Sequence, residues 1–446
     1  MQENRSRPIK SLRRRGFLAA AILLVPAILG LAGVAAAAAP APLPWWKGNV
    51  HLHSRWSDGA DFPEVVAAWY KDRGYHFIAV TDHNRLQEGE YWSALARQPR
   101  DNERLEQYRK WLGGAAVQTR EQPDPKTGKP VVAVRLTPLA DYRAKFEQPG
   151  RFIIIPGEEI TDAAGKSAVH SGALGLAEVI PPLKPATVQE AIQGHIRAVR
   201  DQAERLKQPM LAILNHPNFR AGVPVEDLQA VPDLEFVEIM NSLPSDVENT
   251  GDENLLSHER IWDAALAWRL SQPGFGVIYG LATDDSHDLA ARSGGGWIMV
   301  RAKSLTPQAL FAAMKAGDFY STTGVRLNDA RRTPRELAVE VDPEPGVTYT
   351  IQFIGTLAGY DRSREQDKDE KGKLLPPTKR YSPDIGKVLR EVAGTKAAYQ
   401  AAGNELYVRA RIVSSKPKKD PDVPGFFETA WTQPLAISRP APAASN

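Results

Sequence analysis

Between Trp46 and about Thr323 short apolar runs alternate with longer amphipathic ones. Strand-length apolar runs bounded by turn residues and separated by helical periodicity predict an α/β fold with a largely parallel sheet. The candidate strands are GNVHLH, HFIAVTDH, FIIIPGEEI, AVHSGALGL, PMLAILNHP, EFVEIMNS, GVIYGLATDD and GWIMVRA. Helical spacing of apolar positions marks DFPEVVAAWYKDRG, TVQEAIQGHIRAVRDQAERLK and ERIWDAALAWRL. About seven or eight such units predict a closed or distorted TIM-like barrel whose working face is the C-terminal end of its strands. A doubly wound open sheet is the alternative.

The pattern breaks in two places. From Glu88 to Phe152 runs a long polar insertion that includes REQPDPKTGKP, a surface excursion beside the working face. From Arg335 helical runs give way to ELAVEVDP, VTYTIQFIGTL, ELYVRARIVSS and TAWTQPLAI. These predict a small β-sandwich-like C-terminal domain. The expected organisation is therefore a barrel over 46–325, a β-rich domain over 335–438 and a disordered tail over 439–446.

Ahead of the barrel, a basic segment, RSRPIKSLRRRGFL, leads into the apolar FLAAAILLVPAILGLAGVAAAAA and then PAPLPWW. That is the layout of an export signal over 1–39, cleaved near Ala39; an uncleaved membrane anchor is the alternative. Arg14 and Arg15 resemble a twin-arginine signal, with Arg13 where Ser or Thr is usual, which points to a periplasmic or secreted protein. The signal also changes how the charge is read. Residues 1–39 hold six basic side chains against Glu3, five positive charges in a chain whose total is +3, so the remainder carries about −2. No basic footprint for nucleic acid is left. The absence of cysteine excludes disulfides, thiolate nucleophiles and Cys-ligated zinc.

Candidate chemistry gathers at the strand ends. In an extended segment residues i and i+2 point the same way, so His51 and His53 of HLH can turn toward one point. Asp58 follows, TDHN supplies Asp82 and His83, and PGEEIT supplies Glu158 and Glu159. AVHSGA adds His170, ILNHPN adds His216, and ATDDSH adds Asp285 and His287. Six of the nine histidines thus lie in or near strands together with carboxylates. A core gains nothing from burying such groups unless they are paired or bind metal. The pattern predicts a multinuclear site with nitrogen and oxygen ligands.

The motifs HLHSRWSDG, TDHN, PGEEIT, NHP and DSH, in this order, resemble those of the PHP (polymerase and histidinol phosphatase) superfamily. GDFYSTTG and YVRARIVSS…AWTQP resemble its exported carbaryl-hydrolase-like branch. The resemblance implies a distorted seven-stranded barrel holding two or three divalent ions (Zn, Mn or Fe). It implies that His51, His53 and Asp285 hold one ion, that Glu159 bridges it to a second held by His170 and His216, and that Asp58, His83 and His287 hold a third. Asp285 and Glu159 carry the catalytic role in this reading. Glu159 is preferred to Glu158 by its spacing to His170, and Asp285 to Asp284 by the Asp-x-His pattern. The implied activity is that of an exported metal-dependent phosphoesterase, with a water between two ions deprotonated near neutral pH. Hydrolysis of a carbamate, ester or amide at the same centre is the alternative, and a non-catalytic binding protein a third.

Other residues carry weaker signals. Arg85, Lys166, Arg220 and Arg292 lie near the motifs in sequence and are possible phosphate clamps or surface charges. Asn241, at the end of FVEIMNS beside Glu238, orients substrate or caps a turn. His195 and His258 fall in helical runs and are expected to face solvent. GFGVIYG lies within a strand rather than opening a helix, and no Gly-x-Ser-x-Gly elbow occurs. The expected partner is a small-molecule substrate, with membrane contact only through the export signal. Metal identity, oligomeric state and physiological substrate are not written in the sequence.

Overall fold

The computed structural model describes residues 43–437 except 96–99, 125–126, 244–248, 253–254, 292, 369, 373 and 420–424. The expected export segment, the 439–446 tail and Arg292 lie outside the described residues.

Each strand–helix unit forms where the apolar pattern places it. β1 (Trp45–Asn49) and β2 (Phe77–Val80) are parallel and joined by α1 (Pro63–Asp72). The insertion folds as a small sheet, β3 (Trp92–Ala94), β4 (Thr119–Pro123) and β5 (Pro130–Arg135), with α2 (Asp101–Leu112) and α3 (Leu139–Phe146). β6 (Ile153–Ala164) returns parallel to β2, and β7 (Ser167–Leu174) reverses at once. Then follow α4 (Val188–Leu206), β8 (Leu211–Leu214), α5 (Val225–Gln229), β9 (Phe236–Asn241), α6 (His258–Arg269), β10 (Tyr279–Thr283), β11 (Trp297–Arg301), α7 (Pro307–Lys315) and β12 (Phe319–Thr322).

α4 shows how the pattern becomes packing. Thr187 and Glu190 close a capping box at its start, worth about 1 kcal/mol. Val188, Ala191, Ile192, Ile196 and Val199 recur on one buried face. His195 lies on that same face, fully buried, with Nδ1 2.9 Å from Ser171 Oγ and Nε2 3.5 Å from Asp162 Oδ2. His258 is buried too, its Nδ1 3.2 Å from Asn249 Oδ1. Both departures from the expected solvent-facing position have one cause: a buried hydrogen-bond partner makes an imidazole acceptable on an apolar face.

The sheet departs from a closed parallel barrel. Its order is β10-β9-β8-β7-β6-β2-β1-β11-β12, continuing into the C-terminal strands. β7 is antiparallel to both neighbours, because the Ala164–Ser167 link, with Gly165 at positive φ, leaves no room for a crossover helix. Closure fails at β1, whose second edge is taken by antiparallel β11. Among the described residues no strand pairing joins the two ends of the series, which meet at an isolated bridge, Leu52 to Ser286.

The C-terminal strands are β13 (Leu327–Arg332), β14 (Glu336–Val341), β15 (Tyr349–Leu357), β16 (Arg364–Lys368), β17 (Leu374–Tyr381), β18 (Lys387–Ala393), β19 (Lys396–Gln400), β20 (Glu405–Pro417), β21 (Phe427–Thr432) and β22 (Leu435–Ala436). β21 pairs with β12, so this region extends the same sheet. Arg409 on β20 is buried and bonds Asp263 and Glu259 of α6, each at 2.6 Å.

Candidate metal centre

The site assembles where the parallel strands end. β1 stops at Asn49, short of the expected GNVHLH strand, yet the backbone stays extended: Thr81 N donates to Leu52 O and His53 N to Ser286 O. His51 and His53 therefore still share a side. Glu159 and His170 lie in the β6–β7 hairpin; His83, His216 and Asp285 follow β2, β8 and β10. Two of these strand ends carry backbone strain, with Asp285 at φ 48° and His216 at φ 20°. Non-glycine residues persist there only when their surroundings over-determine them.

All nine predicted side chains come together. Glu159 is central: Oε1 lies 3.3 Å from His51 Nε2, 3.1 Å from His216 Nε2 and 3.3 Å from His170 Nδ1, and Oε2 lies 2.9 Å from His83 Nδ1. Asp285 Oδ1 lies 3.2 Å from His51 Nε2 and 3.0 Å from His53 Nε2. Asp58 lies 3.5 Å from His83 Nε2 and 3.3 Å from His287 Nε2. Four groups have ligand atoms within 4.8 Å of one another: His53, Asp58, His83 and His287; His51, His53 and Glu159; His51, His216 and Asp285; His83, Glu159 and His170. The first contains the expected Asp58–His83–His287 trio. Elsewhere the partition differs, since His216 converges with His51 and Asp285, and His83 also faces Glu159 and His170.

The donor set fits divalent cations. His53 Nε2, Glu159 Oε2, His170 Nδ1 and Asp285 Oδ1 are buried and make no hydrogen bond, although His53 Nε2 and Asp285 Oδ1 are only 3.0 Å apart. Atoms that approach without aligning share a direction toward a third body. The electrostatics agree. Burial pushes the His83 and His287 imidazoles down, but hydrogen bonds to Asp58, with further pull from Glu159 on His83 and from Asp285 on His287, outweigh it and raise them to about 10 and about 9. Burial, then repulsion from His287, takes His53 down to about 4. Against their own burial, the surrounding imidazoles hold Glu159 and Asp285 well below the usual carboxylate range. The carboxylates are thus held ionised among the imidazoles, each sign stabilising the other.

A second ring of residues orients the first. Buried Glu238 accepts from His51 Nδ1, Thr283 Oγ1 and His216 N, each at 2.7 Å, and from Asn241 Nδ2 at 3.1 Å. Asn215 Nδ2 donates to Glu159 Oε1 at 2.9 Å. Asp82 accepts from the backbone and hydroxyl of both Ser54 and Ser57, tying down the loop that carries Asp58. Asp284 accepts from Gly294, Gly295 and Gly296 N–H and from Tyr70 OH. Glu158 turns away to accept from Ile180 N. Asn215, Asp82 and Asp284 stand one residue from a predicted ligand, and that adjacency is the sequence signal for them. Of the two expectations for Asn241 the turn cap is the one observed, its Oδ1 accepting from Leu243 N at 2.9 Å; the side chain is buried, and its NH₂ donates to Glu238 and to Asp285 Oδ2, each at 3.1 Å, rather than facing a substrate. Arg85 is exposed and stacks on Tyr91, its guanidinium carbon 4.4 Å from the ring centre. Lys166 is exposed at the β6–β7 turn.

No family model matches this chain. No curated protein matches it either. Among solved structures it is similar to a two-domain Bacteroides vulgatus protein described as containing a predicted PHP-like metal-dependent phosphoesterase, at 14% identity and TM-score 0.36, over 83% of this chain and 90% of that one. It is also similar to an amidohydrolase from Chromobacterium violaceum, at 14% identity and TM-score 0.29, over 54% of this chain and 88% of that one.

Proposed function

We propose that the protein is a metal-dependent hydrolase whose substrate is a phosphate ester. The observation that carries this reading is the convergence of buried, unbonded ligand atoms of His53, Glu159, His170 and Asp285 at the strand ends. His51, His53, His216 and Asp285 would hold one ion, Glu159, His170 and His83 would share a second, and Asp58, His83 and His287 would complete a third place. Divalent ions there supply Lewis-acid polarisation of the ester and a lowered pKa for bound water.

The chain's own residues do the rest. Glu238 keeps the proton of His51 on Nδ1, so Nε2 presents a lone pair inward. Asn241 engages Asp285 Oδ2 and leaves Oδ1 toward His51 and His53, while Asn215 fixes Glu159 through Oε1, the oxygen that also faces His51, His170 and His216. Asp58, His83 and His287 are the less buried members and mark the side from which substrate enters.

A carbonyl substrate such as a carbamate or ester is the second reading. What favours it is that Arg85, two residues from His83, lies against the Tyr91 ring. Export to the periplasm and the carbaryl-hydrolase-like affiliation remain proposals carried by the sequence motifs. The test is turnover of an aryl phosphate monoester, an aryl phosphodiester and an aryl N-methylcarbamate by the mature, metal-loaded protein and by D285N. Phosphate-ester turnover lost in D285N supports the reading, and carbamate turnover alone replaces it with the second.

A further inference from the structure

The chain leaves the metal centre at His216 through a costly loop. His216, Arg220 and Ala221 all have positive φ, at 20°, 53° and 51°, and each such non-glycine residue costs roughly 1–3 kcal/mol. Interlocking backbone bonds hold the loop: Phe219 N donates to His216 O, Ala221 N to Asn218 O, Gly222 N to Phe219 O and Val223 N to Pro217 O. Position 222 admits only glycine, because a Cβ there would lie 2.4 Å from Ala168 O.

The strain achieves a placement. The half-buried Phe219 ring lies 5.3 Å from the His216 ring and 6.0 Å from that of His170. The Arg220 guanidinium carbon lies 4.9 Å from the centre of the same Phe219 ring. Arg220 is exposed, and among the described residues it has no carboxylate partner. By contrast Arg55 is committed to Asp101 and Arg104 to Asp288. Arg73, Arg85 and Arg120 also rest on aromatic rings, but of these four only Arg220 joins such a seat to a positive φ and to a ring that neighbours the His170 and His216 imidazoles. A guanidinium fixed on a ring loses little entropy when its forked donors meet an oxyanion. One ring thus adjoins both the Arg220 guanidinium and the two imidazoles, a placement suited to a neighbouring group on the molecule being hydrolysed.

We propose that Arg220 is a specificity-determining residue that binds a second acidic group of the substrate, a carboxylate or phosphate oxyanion about one ring's width from the bond that is broken. This rests on the hydrolase reading above, and its test separates the two. Calorimetry on the metal-loaded protein compares benzylphosphonate with 4-carboxybenzylphosphonate. Turnover compares phenyl phosphate with 4-carboxyphenyl phosphate, and the two corresponding aryl N-methylcarbamates.

The expected preference for the carboxylated member is about five- to tenfold, the size of a charge-assisted contact at an exposed site, and it shrinks as salt rises. In R220Q the preference falls to near unity, in R220K part of it returns, and in the distant R335Q it persists in full. No preference in the wild type, a preference that survives R220Q, or equal weakening of both ligands in R220Q would overturn the assignment. If only the carbamates are turned over and their preference disappears in R220Q, the phosphate reading fails and the role of Arg220 stands.

Discussion

Glu238→Gln tests the orienting ring without removing a candidate ligand. The carboxylate accepts four hydrogen bonds, from His51 Nδ1 and Thr283 Oγ1 on one oxygen and from His216 N and Asn241 Nδ2 on the other. A glutamine amide keeps the shape and must turn its NH₂ toward one pair. Facing His216 N and Asn241 Nδ2, it sets donor against donor in a buried site. Facing His51, it makes Nδ1 an acceptor and moves the imidazole proton to Nε2, the atom aimed at Glu159 and Asp285. Either way the ligand set is mis-oriented. Loss of such an outer partner costs about 10- to 100-fold in metal affinity, or roughly 1.4–2.7 kcal/mol. Competition with a calibrated chelator measures this directly. Activity should fall at limiting metal and recover largely when metal is raised. Wild-type metal affinity in E238Q would refute the role given to Glu238.

Three further outcomes follow from the same geometry. In D82N one of the two acceptor oxygens that tie down the 54–58 loop becomes an NH₂ group and the Asp58–His83–His287 place is weakened, so the variant should bind about one metal equivalent fewer; unchanged stoichiometry contradicts this. R409M leaves buried Asp263 without its cation and Glu259 with Arg411 alone and should lower unfolding free energy by about 3–5 kcal/mol in urea titration; a change under about 1 kcal/mol would show that water replaces the pair. Glu259 is raised by burial but lowered more by Arg409 and Arg411, to about 2 against an ordinary 4.5. Its folded pKa being depressed, its contribution is complete above about pH 4.5 and is lost as pH falls through about 2. Unfolding free energy should therefore fall less steeply with acid in E259Q than in the wild type, and an identical slope would count against the pairing.

The nine clustered side chains were legible because strand period and strand ends are local properties. His51 and His53 share a side in any extended segment, and the apolar runs locate the C-terminal ends where ligands gather. The choices of Glu159 over Glu158 and Asp285 over Asp284 come from the spacing that the family resemblance implies; in the structure Glu159 and Asp285 lie among the imidazoles, whereas Glu158 accepts from Ile180 N and Asp284 from Gly294, Gly295 and Gly296. What escaped depends on distant partners. Ser171 and Asp162 accept His195 into the core, so its polarity misleads. Pairing of β1 with β11, and of β12 with β21, joins segments far apart in sequence, and those contacts open the expected barrel and extend its sheet. Asn241 was readable as a strand-end polar residue, but its engagement with Asp285 needs the β9–β10 register.

The most direct test is metal content. Protein refolded or expressed with defined divalent ions, exhaustively dialysed and assayed by inductively coupled plasma mass spectrometry, should carry two to three equivalents, as proposed from its four overlapping ligand groups. The doubly substituted H51A/E159A protein, confirmed as folded by circular dichroism, should retain at most one. Wild-type protein that binds no divalent ion under any loading condition while still hydrolysing its substrate would contradict the account at its centre.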